Sequence, residues 1–481
     1  MSSALFVLLT GFPAGHHPAM NQDRQFDLIV IGGGSGGYAA ARAAAAAGLK
    51  VAVVEGAAEV GGLCILRGCM PTKALLYAAE VAHLVRNAGT WGIRTGEVSI
   101  DFPAVMARKR RLIKEFADFR KGQLTDGRFT FIRAEAQFRD PHTLALSNGQ
   151  SLSARNFVVS TGSVVADSPL PSLKETGYLT SDTALDLDHL PRSLIVLGGG
   201  AVAVEAAQFF ARLGTTVTMV QRSPHILRDF DTDAATELEK ALVAEGLHFH
   251  AGTKLIGAHK DRHHKTVVFE KAGLRTEATA EEIFFALGRR PSTRHLHPEL
   301  AGIELDGPRI KTNARMQTTA PHIFAAGDCT GPHEIVHIAI QQGEIAAHNI
   351  VHPDQPKEID YRLLTSVVFT DPQVATVGLT ERTAKAQGIA YLAASYPFND
   401  HGKSLIMEAL HGFVKLLADP KSGEILGGCC VGPVGGELIH EIIVAMSRRM
   451  TVRELANTPH YHPTLAEIWT YPAEELAERI K

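Results

Sequence analysis

Residues 26–55 read FDLIVIGGGSGGYAAARAAAAAGLKVAVVE, and this stretch decides the fold. Asp27 to Ile31 has the short, almost unbroken apolar character of a buried parallel strand. Gly32 to Gly37 reads as a glycine turn, Tyr38 to Ala47 as an alanine-rich helix, Gly48 as its stop and Val51 to Glu55 as a second strand. That is one βαβ unit. Gly32, Gly34 and Gly37 fit GxGxxG: the first permits the tight turn, the second lets backbone approach a pyrophosphate, and the third lets the helix pack on the strand. Gly34 and Ser35 lead into a helix N-terminus that receives negative charge. Glu55, ending the second strand, stands where an acid bonds a ribose hydroxyl. GxGxxG alone is often only a flexible turn; strand, helix and terminal acid together favour nucleotide binding.

The same grammar returns as strand Ser193 to Leu197, turn Gly198 to Gly200, helix Val202 to Leu213, Gly214 and strand Thr216 to Gln221. Gly198, Gly200 and Ala203 occupy the three glycine positions, with alanine tolerated at the third. The wide spacing argues for two nucleotide domains rather than a stacking repeat. Where an NAD site usually places an acid, the second copy has Gln221 and Arg222, with Arg228 slightly later. An acid there repels a 2′-phosphate and an arginine pairs with it, so NADPH is favoured over NADH. The bland alternative is that both arginines are solvated surface residues.

At 481 residues the chain exceeds what one core needs, and at about 150 residues per domain it holds two to four. Its 45% hydrophobic and 21% charged residues are ordinary globular usage. A net charge of -3 with mixed signs gives no footprint for nucleic acid or an anionic membrane, and the basic run Arg108, Lys109, Arg110, Arg111 reads as a solvated helix face. No run is long and apolar enough for a membrane span. Five cysteines cannot build a secreted disulfide framework, which points to a reducing, cytoplasmic setting. Residues 1–19 lack periodicity and read as a disordered extension before Met20. Strand-like patterning resumes at Phe284 to Pro291 and Pro321 to Asp328, so the first domain is expected to be discontinuous. Beyond residue 357 come β-rich runs (Ser366 to Phe369, Phe413 to Leu417), a turn at Asp419 to Gly423 and an amphipathic helix at Gly436 to Arg448, an α+β pattern.

Cys64 and Cys69 are separated by four residues and followed by Met70, Pro71, Thr72 and Lys73. Such a pair can close a disulfide if a local turn brings the Cα atoms to about 4.4–6.8 Å. Two thiols without two further ligands make a poor zinc site. In isolation, free buried cysteines are the commoner reading; beside a dinucleotide fold the redox reading overtakes it. Adjacent Cys429 and Cys430 fall in a strand-like run and read as small buried residues. Near the C-terminus, His462 with Glu467 nearby can move a proton near neutral pH and stabilise a thiolate. Any one of the 23 histidines is more often a surface residue, and that reading wins without the cysteine pair.

From about residue 25 to the end the chain resembles the class I pyridine nucleotide-disulfide oxidoreductases, a family that includes dihydrolipoamide dehydrogenase, glutathione, mycothione and mercuric reductases. The resemblance rests on Gly61 through Lys73, Thr161-Gly162-Ser163, Gly288 to Pro291, Ala325 to Asp328, Phe369 to Pro372, and His462-Pro463-Thr464 with Glu467. It implies an α/β architecture with two Rossmann-like domains: an FAD domain at 20–155 and 285–356, and an NAD(P) domain at 156–284. An α+β dimerisation domain at 357–481 completes it. FAD would be held by Gly32, Gly34, Ser35, Gly37, Glu55, Gly62, Thr161, Gly162 and Asp328, and NAD(P) by Gly198, Gly200, Ala203, Arg222, Arg228 and Gly288. Cys69 would be the flavin-proximal thiol and Cys64 the interchange thiol. Lys73 with Glu205 would tune the flavin, and His462 of the partner subunit in a homodimer, oriented by Glu467, would shuttle the proton. No metal is implied.

Within the family the C-terminal half is most similar to dihydrolipoamide dehydrogenases, acting on a small thiol or disulfide. The absence of cysteine after Cys430 disfavours a mercuric-reductase-like reading. His337 to Pro356 lacks arginine and lysine but has Gln341, Gln342 and Glu344, which disfavours a glutathione-type one. A mycothione- or mercuric-type reductase is the runner-up, and a catalytically lapsed flavoprotein sensor is the alternative from another class.

Overall fold

A computed structural model describes residues 25–480, so the extension expected at 1–19 lies outside the described residues. The chain divides into two compact units, and the first takes residues up to Gly62, Ala117–Val164 and Arg290–Ile359. It is built on β1 (Gln25–Ile31), α1 (Ser35–Ala46) and β2 (Val51–Glu55). These join β3 (Thr130–Arg133), β4 (Ala136–Asp140), β5 (Thr143–Leu146) and β6 (Ser151–Val159) in one sheet of order β3-β2-β1-β6-β5-β4. β1 is parallel to both neighbours, with Leu28 opposite Val51 on one side and Asn156 on the other. Every residue of β2 is buried, which is why the strand reads as a continuous apolar run rather than an alternating one. Ile323–Ala325 runs parallel beside the end of β6. Helix α1 meets the helix Val336–Val351 through small residues: a Cβ on Gly343 would lie 2.2 Å from the Gly36 carbonyl oxygen.

The second unit takes Leu63–Phe116, Val165–Arg289 and Asp360–Lys481. Its parallel sheet orders His248–His250, Thr216–Val220, Ser193–Leu197 and Glu282–Phe285, with the helix Ala201–Leu213 after the second glycine turn. A five-stranded antiparallel sheet follows toward the C-terminus, in the order Thr365–Val368, Gln373–Gly378, Ile425–Gly432, Phe413–Ala418 and Leu392–Pro397, with the helix Gly435–Ser447 packed on it. Lys415, in the strand Phe413–Ala418, is buried, and its ammonium lies 2.9 Å from Asp231, 2.8 Å from Asp233 and 3.0 Å from Glu381. Those acids hold the lysine charged well above its usual range despite burial, which opposes it. The cluster ties the nucleotide-type sheet's flank to the C-terminal sheet, because Asp231 also accepts the amides of Glu381 and Arg382 at 3.1 and 3.0 Å.

The overall class is that expected, and several local expectations are corrected. Helix α1 begins at Ser35, inside the stretch read as turn, and the second helix begins at Ala201 rather than Val202. β6 stays in the first sheet to Val159, past the expected handover at 155, while Phe285 pairs with Leu197 in the second sheet. The basic run is not uniformly solvated. In the helix Phe102–Leu124, Arg108, Arg110 and Arg111 are exposed, but Lys109 is 4% exposed and its ammonium meets the Leu185 carbonyl and, at 3.4 Å, Asp186. A helix turns about 100° per residue, so four consecutive residues cannot share one face. Among the described residues no helix is long and apolar enough to cross a membrane.

Candidate functional site

In the first glycine turn, steric necessity and vacancy alternate. Gly32 sits at φ +103°, where a Cβ would come within 2.2 Å of the Ser160 carbonyl oxygen, and a Cβ on Gly37 would lie 1.9 Å from the Gly32 carbonyl oxygen. Both must be glycine for backbone reasons. Gly34 differs: a Cβ there would meet only the Gly62 Cα, at 3.9 Å. It is the N-cap of α1, with no side-chain cap and no acid in the first turn, so the helix's first amides are left for a ligand anion. Glu55 accepts the Gly33 amide at 2.9 Å through one oxygen and the Ala57 amide at 2.8 Å through the other, which pins the strand end against the turn. Gly62 is at φ +76° with its Cβ direction blocked by Gly34.

Around the same sheet edge, Ser163 donates to Asp328 at 2.7 Å, and the Gly327 amide donates to buried Gln342 at 2.7 Å. Gln342, read from sequence as bearing on substrate choice, is therefore a brace for the Gly327–Asp328 corner. Gly162 is at φ +67°, and the hydroxyl of Thr161 beside it is buried with no protein partner. A buried unpaired hydroxyl costs about 1–3 kcal/mol unless something bonds it. Together with the uncapped helix and the open face of Gly34, this is what a bound dinucleotide requires, so the residues present fit FAD.

The second turn repeats the plan with one exchange. Gly198 is at φ +116°, with its Cβ direction 2.4 Å from the Ala286 carbonyl oxygen, whereas Gly200 has nothing within 4 Å and caps its helix without a side chain. Ala203 is fully buried. At the strand end Gln221 is buried, with its side-chain oxygen 1.9 Å from where a Gly199 Cβ would be and its amide nitrogen donating to Ser223 at 2.9 Å. Arg222 and Arg228 are exposed, the latter 3.8 Å from Asp229. Gly288 is at φ +119° with open space around it.

The cysteines sit at a helix junction. Cys64 lies in α2 (Gly62–Leu66) and Cys69 opens α3 (Cys69–Arg86), with Gly68 between them. A Cβ on Gly68 would come within 3.3 Å of the Cys64 Cα, so the glycine lets the chain fold back on itself. Both are free thiols, half-buried, and the Cys64 thiol donates to Cys69. That bond, helped by the Lys73 ammonium and opposed by burial, lowers Cys69 from 9.0 to about 7. The same bond and burial push the Cys64 thiol far up. The thiolate is thus favoured on Cys69, with the Cys64 thiol donating to it. Lys73, one helical turn after Cys69, lies 2.8 Å from the buried carboxylate of Glu205 and 4.3 Å above the Phe369 ring, and Glu205's other oxygen accepts the Phe369 amide at 2.9 Å.

His462 stands on a loop whose neighbour His460 is anchored to Glu441 at 2.6 Å and to the Thr458 carbonyl at 2.8 Å. His462 Nδ1 lies 3.0 Å from Glu467, and its side chain is 78% exposed, so Nε2 is left to solvent or a partner. Glu467 is fixed because the turn Ala466–Trp469 is nailed down by fully buried Trp469, whose indole donates to Leu438 at 3.2 Å. Sequence reading missed a third member, His401, fully buried and 3.3 Å from Glu467's other oxygen. No motif marks it, since it lies far upstream in the chain.

Paired nucleotide cradles and a thiolate at a helix N-terminus define a class: dinucleotide-dependent oxidoreductases acting on sulfur. The pyridine nucleotide-disulphide oxidoreductase family matches residues 26–343, and its dimerisation domain matches residues 364–473. The dihydrolipoyl dehydrogenase of Thermus scotoductus is 38% identical over 94% of this chain and 98% of its own length. A mercuric reductase of Staphylococcus aureus is 31% identical over 95% of this chain and 83% of its own. LpdA of Mycobacterium tuberculosis superposes with a TM-score of 0.84 at 29% identity, covering 93% of this chain and 99% of that one. The chain belongs to the pyridine nucleotide-disulphide oxidoreductase family, and it is an FAD- and pyridine-nucleotide-dependent enzyme of the dihydrolipoyl-dehydrogenase-like kind.

Proposed function

We propose that the chain works as a homodimeric, NADPH-preferring flavoprotein that interconverts a small dithiol and its disulfide, with lipoamide-type compounds as the substrate class. The observation that carries this reading is the placing of Cys64 and Cys69, one donating to the other, at a helix junction beside the Lys73–Glu205 pair. Bound FAD supplies two-electron transfer between the nicotinamide and the cysteine pair. Gly32, Gly34, Ser35, Gly37, Glu55, Gly62, Thr161, Gly162 and Asp328 would hold it; Gly198, Gly200, Ala203 and Gly288 would hold the nucleotide. Exposed Arg222 and Arg228, with no acid at the Gln221 strand end, support a 2′-phosphate and hence NADPH.

In the reducing direction Cys64 loses its proton to His462 of the partner subunit and attacks one sulfur of the substrate disulfide. A mixed disulfide forms, and the departing thiolate takes the proton back from that histidine. The Cys69 thiolate then attacks the Cys64 sulfur, closing the Cys64–Cys69 disulfide and releasing the second substrate sulfur as a thiolate, which takes its proton from solvent. Glu467 orients the histidine through its Nδ1. Lys73, paired with Glu205, keeps Cys69 charged. A reducing, cytoplasmic setting suits a thiol pair that must cycle.

Anaerobic titration of the purified protein with NADPH and NADH, followed by turnover with lipoamide, glutathione disulfide and Hg(II), tests the reading. A long-wavelength thiolate-to-flavin absorbance that vanishes in Cys69→Ser, with lipoamide as the best acceptor, is expected. Flavin bleaching without that band, or turnover unchanged in Cys64→Ser and His462→Ala, sinks it in favour of a lapsed sensor.

A further inference from the structure

We infer that His401 is a positioning residue for the proton-transferring histidine: it fixes Glu467 from behind, through a Ser404–His401–Glu467–His462 chain of polar contacts that runs from the interior to the surface. The inference rests on the role given to His462 above. His401 and Ser404 are both fully buried, and His401 Nδ1 lies 2.8 Å from the Ser404 hydroxyl. His401 Nε2 lies 3.3 Å from one Glu467 oxygen, while the other oxygen takes His462 Nδ1 at 3.0 Å. The Tyr471 ring stands edge-on to His401, with centroids 6.3 Å apart, and walls the imidazole in.

Proton counting selects one arrangement. If Nδ1 carried the hydrogen, the Nε2 lone pair would face a carboxylate oxygen, which is repulsive. With Ser404 donating to Nδ1, Nε2–H faces the Glu467 carboxylate and the repulsion is removed. Burial, aided by the His462 charge and opposed by Glu467, holds His401 below the ordinary histidine range, so this neutral form is the working one. The Nε2 contact is too oblique to count as a full hydrogen bond, yet Nε2 has no other partner. Catalytic contacts of this kind tighten when substrate engages. Held on both oxygens, the carboxylate cannot rotate away from His462, and the imidazole it faces is kept as the Nδ1–H tautomer with Nε2 free to take a proton.

The test is a double-mutant cycle in the holoenzyme with lipoamide as probe substrate, each variant checked for wild-type flavin content. His401→Phe is expected to lower kcat about tenfold with KM little changed, the loss of about one good hydrogen bond. His401→Asn, which keeps an N–H donor, is expected to recover most of that loss. Ser404→Ala, a smaller disturbance should the phenylalanine fail to fold, is expected to lose about threefold. In His462→Ala the further change His401→Phe should cost nothing, because the two act as a unit. Nitrogen-15 spectra of the His462 ring should show its single tautomer replaced by a mixture in His401→Phe. Multiplicative losses, or an unchanged tautomer and kcat in His401→Phe while His462→Ala is impaired, overturn the positioning role alone. An unimpaired His462→Ala overturns the underlying reading and this inference with it.

Discussion

Two pairs of cysteines in the same chain live in opposite chemical worlds. Cys64 and Cys69 sit at a helix junction, half-buried, hydrogen-bonded to each other and near Lys73. Cys429 and Cys430 are adjacent in the strand Ile425–Gly432, and alternation along a strand sends them to opposite faces: Cys429 belongs to the apolar cluster that includes Leu75 and Phe210, Cys430 to the one that includes Trp469 and Ile442. Burial pushes Cys429 up to about 12 and Cys430 well above the usual thiol value. Sulfur count is therefore no guide to redox capacity. What separates the pairs is a helix N-terminus and a donor thiol at one site, and complete burial at the other, where the charge of Lys415 across from Cys429 is offset by Asp231 and Asp233.

The contrast can be broken most decisively by labelling. Between Cys69 at about 7 and Cys429 at about 12, thiolate fractions at neutral pH differ by about five orders of magnitude. Iodoacetamide on the reduced native protein should therefore modify the Cys64–Cys69 pair at least about a thousandfold faster, as read by peptide mass spectrometry. Comparable rates at Cys429 would end the comparison. Because the folded value of Cys69 lies below the ordinary 9.0, its charged form is favoured by folding, and reactivity should fall as pH drops through about 7. Cys64→Ala removes the first cause of that depression and should raise the midpoint of Cys69 alkylation by more than one pH unit. Lys73→Met should raise it by less, since Lys73 is the weaker contributor. Smallest in its effect on the active pair is Cys430→Ser, which buries a hydroxyl in an apolar cluster. It should cost about 1–3 kcal/mol in denaturant unfolding while leaving turnover unchanged.

The two glycine turns were readable because glycine, strand period and helix composition agree locally, and so was the cysteine pair. The exact start of α1 was not, because Gly36 and Gly37 are glycine for close approach inside a helix and not for turn conformation: the Gly37 Cβ would strike Gly32, and that of Gly36 would lie 2.9 Å from the Ala339 carbonyl oxygen. Lys109 was misread because a charge run in one dimension hides the helical rotation that buries one of its members. Where one sheet hands over to the other depends on pairing between distant strands, as when Glu282–Phe285 joins Ser193–Leu197. His401 was invisible for the same reason: its meaning comes from contact with Glu467, and no local pattern encodes that.

The clamp around Lys415 sets terms for anyone wishing to re-engineer nucleotide choice. The segment after the second strand is held at its start by Gln221 against Ser223, in its middle by the Leu227 amide donating to Gly199 at 2.7 Å, and at its end by Asp231 under Lys415. Only the side chains that project outward, Arg222 and Arg228 among them, are free of that scaffold. A library confined to those positions can explore cofactor preference at little cost in folding, whereas one that strays to Leu227 or Asp231 will mostly return collapsed protein.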